Sequence, residues 1–281
     1  MTSGKDTWSA RCPERGTPGA GGGLGKRAGG NAGTAPEVYL TVEDHDAARR
    51  LWTFTLDTTR RAEEHPSSTG LAVHVLLDMA NQALYLQRPR EALRFTQLGS
   101  ATAANRTHPV SMLTQGNTSA VLGWCRAALG EVEPCRRAMG QALDEYVGAD
   151  RATIPPGAHA PFTDAKIAAQ QGYTQYLLSQ SNPEFAPAAI ERLTSATNAY
   201  GAAYERARAV NLPLLAIVCF RAGELDSAVT TGYEAVTAVS GLASTRGYAR
   251  LRVMDTAAAP FTRTPEVAEL REHVRTALAA A

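Results

Sequence analysis

A spacing of small residues recurs along this chain and limits its fold more than any other feature. In CFRAGELDSAVTTGYEAV and the residues just before it, Ala216, Ala228 and Ala235 stand at intervals of 12 and 7, with a break at Ala222-Gly223. LDMANQALYLQRPREALRFTQLGSATA repeats both intervals as Ala80, Ala92 and Gly99, breaking at Gln87-Arg88-Pro89. AVLGWCRAALGEVEPCRRAMGQALDEY repeats them as Gly123, Cys135 and Ala142, breaking at Gly130-Glu131-Val132-Glu133. A looser copy uses Gly172, Ala189 and Ala196, with five extra residues in the loop SQSNPEFAP. Two antiparallel helices approach closely only where side chains are small, and in a stacked array a third helix must fit the same spot. The longer interval spans the second half of one helix, the turn and the start of the next. The shorter one keeps the last small residue on the inner face of that second helix. The unit is therefore a helix hairpin.

The flanks read as helices too. YLTVEDHDAARRLWTFTLDTTRRAEEH, Tyr39 to His65, carries Ala48, Leu51, Trp52, Thr55 and Ala62 as one apolar stripe. After the last unit, ASTRGYARLRVMDTAAAPFTRTPEVAELREHVRTALAA supplies two more helices from about residue 243, with Pro265 suited to a helix start. Abundant alanine and only 6% aromatic residues favour packed helices over sheets. Residues 1–36 differ: ten glycines with prolines and little apolar surface read as a disordered tail, leaving 37–281 as one helical domain.

Several functions are disfavoured. A net charge of +1 gives no bulk attraction for nucleic acid or membrane, and no run of 18 apolar residues or signal peptide is present, so a cytoplasmic protein is expected. Cys12, Cys125, Cys135 and Cys219 form no C-x-x-C pair, and the histidines show no metal-ligand spacing. His45 and Asp46 are adjacent and point apart on a helix, whereas His74 and Asp78 form an i,i+4 pair with no nucleophile beside it. GGGLGKRAGG lacks the strand, the helix and the final Ser or Thr of a phosphate loop. The expectation is a protein without catalysis, cofactor or metal.

From Leu71 to Val239 the hairpins resemble the tetratricopeptide repeat, with AGELDSA and LGEVEPC the most specific pieces. They depart from it in lacking the tryptophan near the start of each first helix, and in exceeding its period of about 34 residues. The resemblance implies an all-α, right-handed α-solenoid. A wider order is also similar to a known arrangement: DHDAARRLW, LLDMANQALYLQRPREALR, ALGEVEPCRRAM, STRGYARLRVM, PEVAELREHV. It resembles the C-terminal sensor region of actinobacterial helix-turn-helix transcriptional regulators, which implies a role in transcription regulation. The DNA-binding bundle itself is not found. The glycine-rich tail holds its place, and no direct nucleic-acid binding is expected from this chain alone.

Arrays of this kind take ligands in a concave groove lined by the first helix of each unit. With Ala80, Gly123, Gly172 and Ala216 taken as equivalent, the groove positions are His74, Asn81 and Tyr85; Asn117 and Trp124; Lys166, Tyr173 and Tyr176; and Phe220 and Arg221. Asparagine clamps a peptide backbone with donor and acceptor, and Lys166 or Arg221 suits a carboxylate. Tyr173 and Tyr176 read equally well as packing between helices, and Trp124 as core. The expected function is binding of a peptide or protein partner; the alternative is a plain scaffold without ligand sensing. A homodimer through the capping helices stays open, because Leu251, Val253, Leu270, Val274 and Leu278 could form an exposed stripe.

Overall fold

The computed structural model describes residues 45–62, 65–104, 108–150, 163–201, 204–242 and 244–280. The tail, the first residues of the expected Tyr39–His65 helix and Cys12 lie outside them. Eleven α-helices and no strand occur among the described residues. They are α1 (His45–Arg61), α2 (Pro66–Tyr85), α3 (Pro89–Ala103), α4 (Met112–Ala128), α5 (Val132–Val147) and α6 (Asp164–Ser179), followed by α7 (Ala186–Ala199), α8 (Glu205–Ala222), α9 (Leu225–Ser240), α10 (Thr245–Ala258) and α11 (Pro265–Ala279). No described helix is long and apolar enough to cross a membrane.

Helices pack in adjacent pairs: α2 with α3, α4 with α5, α6 with α7 and α8 with α9. The first helices of the pairs, α2, α4, α6 and α8, lie side by side in chain order and are continued by α10. The second helices pack against this inner row, and α9 also meets α11. All twelve small residues of the repeated spacing are buried, eight of the nine alanines and cysteine among them with no exposed surface at all.

Three of the hairpin turns are built alike. Gln87, Gly130 and Gly223 each adopt a left-handed backbone, with φ of 58°, 74° and 78°. The next amide then reaches back over the helix end: Arg88 to the Ala83 carbonyl at 2.8 Å, Glu131 to Arg126 at 2.9 Å and Glu224 to Cys219 at 2.9 Å. Such bonds satisfy carbonyls that a helix end would leave open. The small residue that follows, Ala92, Cys135 or Ala228, bonds back to the residue capping its own helix. The fourth hairpin instead bridges its longer loop with a 3-10 turn, Pro183–Phe185.

Two expectations are corrected here. Helix α8 is buried from Asn211 to Phe220 because α7, α9 and α10 surround it, so Phe220 stacks on Phe261 in the core and does not face a groove. The apolar stripe of the capping helices is also used internally. Leu251, Leu270 and Val274 are at most 1% exposed, Leu278 packs against the same core, and Val253 stays exposed. Asp255 joins α10 to α11 through bonds from Arg271 Nε and Nη2 at 2.7 and 3.2 Å.

Candidate functional site

The inner row carries the projected residues at unequal depth. On α2, Asn81 buries its Oδ1 without a hydrogen-bond partner, and Tyr85 lies 5.5 Å from the His45 ring. His74 Nε2 and Asp78 Oδ2 stand 3.5 Å apart as the i,i+4 spacing predicts. On α4, the Trp124 indole N–H donates to the Gln170 carbonyl at 2.9 Å, and Asn117 Oδ1 accepts from Gln170 Nε2 at 2.9 Å. Lys166 sits in the first turn of α6, its amide donating to the Thr163 hydroxyl at 3.2 Å.

The centre of the row is an aromatic ladder. Trp124 meets Tyr173 edge-on at 5.0 Å, and Tyr173 stacks on Tyr176 at 5.9 Å. Edge and stacked pairs at these distances are the favoured geometries for rings. Arg221 lies over Tyr176 at 5.4 Å, and Arg250 over Tyr173 at 5.7 Å. The ladder thus crosses α4, α6, α8 and α10. Burial pushes the Tyr176 phenol up, so it is neutral and a hydrogen-bond donor at physiological pH.

Arg250, Arg246, Gln170 and Gln175 were absent from the sequence projection. Arg250 Nη1 donates to the Val210 carbonyl in the turn before Pro213. Pro213 has no N–H for the neighbouring Ala209 carbonyl and crowds that turn, which leaves the segment open to a donor from outside the helix. Burial, with Arg246 alongside, pulls Arg250 down to about 10; the tyrosines, Tyr85 included, act the other way. Tyr85 on α2 and Arg250 on α10 therefore share one electrostatic environment, although three helices of the inner row lie between theirs. Arg246 Nε, Gln170 Oε1 and Gln175 Oε1 are buried without partners. The signal for the arginines was their i,i+4 spacing on the helix read only as a cap.

A separate cleft of about 430 Å³ lies between α7, α8 and α9, lined by Thr194, Thr197, Thr230, Asp226 and Glu234 among others. Arg208 pairs with Glu234 there at 2.6 Å. It shares no residue with the aromatic ladder. Among the described residues no three His, Cys, Asp or Glu side chains gather as a metal site would need. The chain matches no protein-family model and no curated protein sequence.

Proposed function

We infer that the chain is a non-enzymatic regulatory protein whose inner helix row binds a peptide or protein partner. The observation that carries this reading is the ladder of Trp124, Tyr173 and Tyr176 flanked by Arg221 and Arg250. Rings and arginines of this kind concentrate binding energy, because they bring large, stiff contact area and directed donors. Here Trp124 and Tyr173 are partly exposed, and Tyr176, 8% exposed, backs them from the core. The buried, unpaired Oε1 of Gln170 adds an acceptor suited to a peptide N–H.

The wider reading is a right-handed solenoid of tetratricopeptide-like hairpins, acting in transcription regulation as the sensor region of an actinobacterial regulator. It rests on the resemblance in sequence, and an in-frame helix-turn-helix upstream of Met1 would support it. A partner role is preferred to self-pairing because only Val253 of the expected dimer stripe is exposed. The test is a peptide array probed with the full chain, followed by melting curves for the hits, since a bound ligand raises the melting temperature by mass action. Tyr173→Ala is expected to weaken a hit by about tenfold or more, the size of a lost aromatic anchor. Hits that bind this variant as tightly as the parent chain would place the partner elsewhere.

A further inference from the structure

The arginines of α10 are not arranged as the outward charges of a capping helix. Arg246 and Arg250 are one turn apart, both half-buried, and close enough that Arg246 disfavours the charge on Arg250. Arg246 buries its Nε with no acceptor. Arg250 covers Tyr173 and gives one bond to a backbone carbonyl, and Arg221 covers the other tyrosine of the stack. Among the described residues no carboxylate pairs with any of the three. Elsewhere in the chain arginines do find acids: Arg49 with Glu91, Arg126 with Glu131 and Arg271 with Asp255.

A half-buried cation without a counter-ion lowers stability, and a packed apolar side chain would serve the fold better. Two like charges side by side add to that cost. The arrangement is one that an arriving anion completes, since guanidinium groups bind a carboxylate through paired N–H donors. The amides of Gln170 and Asn117, next along the ladder, suit a peptide backbone more than a free inorganic anion.

We propose that Arg246 and Arg250, with Arg221 at the far end of the tyrosine pair, hold an Asp or Glu carboxylate of the bound peptide. The partner is thus an acidic peptide segment, and α10 is part of the binding site rather than a cap alone. This rests on the inner-row reading above.

The test uses the full chain on an array of short peptides made in pairs, with Glu in one member and Gln in the other. The Glu members are expected to bind about tenfold more tightly, the size of one charge-assisted contact. Arg246→Gln is expected to abolish that preference, with melting unchanged or raised in the absence of peptide, because Nε has no partner to lose and one of two neighbouring like charges is removed. Arg250→Gln is the second variant, with the same expected loss. Pairs that bind alike, or a Glu preference that survives both substitutions, would overturn the acidic-peptide assignment while leaving peptide binding intact. An array with no hit at all would overturn the inner-row reading itself. In a parallel melt, inorganic phosphate alone is expected to have little effect. Stabilisation by phosphate that Arg246→Gln removes, with Glu and Gln peptides bound equally, would make this a free-anion site and refute the proposal.

Discussion

Gly123, Gly140 and Gly172 each lie inside a helix, and alanine at each is expected to have a different consequence. Alanine in a helix interior is favoured over glycine by about 1 kcal/mol. At Gly140, exposed on α5, an added Cβ meets nothing within 4 Å, so the whole gain is expected. At Gly123 the Cβ would lie 2.6 Å from Met139 Sδ and 2.9 Å from its Cγ. Methionine is flexible and half-buried there, so it can shift, and the net effect should fall near zero. At Gly172 the Cβ would lie 2.8 and 2.9 Å from Leu193 Cγ and Cδ2, and 3.0 Å from the Leu193 backbone nitrogen. Leu193 has no exposed surface, and its backbone belongs to α7.

The side chain cannot leave and the nitrogen cannot move without separating α6 from α7. Overpacking of this kind costs about 1–3 kcal/mol, which exceeds the propensity gain. Gly172→Ala is therefore expected to lose about 1 kcal/mol net, and Gly140→Ala to gain about as much. For a chain of this size each kcal/mol moves the melting temperature by about 2–4 °C, so thermal unfolding by circular dichroism separates the three variants. A Gly172→Ala chain that melts at or above Gly140→Ala would refute the claim that contact distance sets the small residues of the repeat.

The turns and the thiols give further tests. Gln87→Gly is expected to raise stability in urea by about 1 kcal/mol by relieving a left-handed residue with a side chain, whereas Gly130→Ala and Gly223→Ala should each lower it by about as much, although no atom lies within 4 Å of the added Cβ. Unchanged midpoints would show that these turns are relaxed whatever residue they hold. Burial raises Cys125 and Cys135 to about 11 and Cys219 to about 12, from an ordinary 9.0. The folded chain holds these protons more tightly than the unfolded one, so their contribution is complete below pH 9 and is lost as pH climbs through 11 and 12. Melting temperature should fall across that window, and alkylation mapped by peptide mass at pH 8 should spare all three thiols until the chain unfolds.

How much of this was legible from the sequence depends on the range over which the information acts. The hairpins were legible because a turn and the two helix ends beside it are local. A left-handed residue seven positions after Ala80, Gly123 or Ala216, and a small residue five further on, can be read without knowing the rest of the fold. The projected site was legible only in part. Trp124, Tyr173 and Tyr176 fell on the inner row because their register follows the same spacing. Phe220 was misplaced by the same rule, since its side chain turns into the core against Phe261 while the neighbouring Arg221 faces Tyr176.

The arginines of α10 were missed for a different reason. Their place depends on the summed packing of the inner-row helices that precede them, and no local pattern encodes that sum. Tyr85 and Arg250 are set in one field by the accumulated packing of α2, α4, α6, α8 and α10. Gly172 sets how closely α7 lies on α6, and α7 in turn packs on α8. A substitution that pushes α7 off α6 should therefore shift α8 and α10, and with them Arg250, relative to Tyr85 without touching either. Gly172→Ala is then a test of the site as well as of the fold: at a temperature where the variant remains folded, it should weaken an acidic peptide that Gly140→Ala binds normally. Equal binding by both would mean that the arginines and the tyrosine ladder hold their geometry independently of the spacing that builds the array.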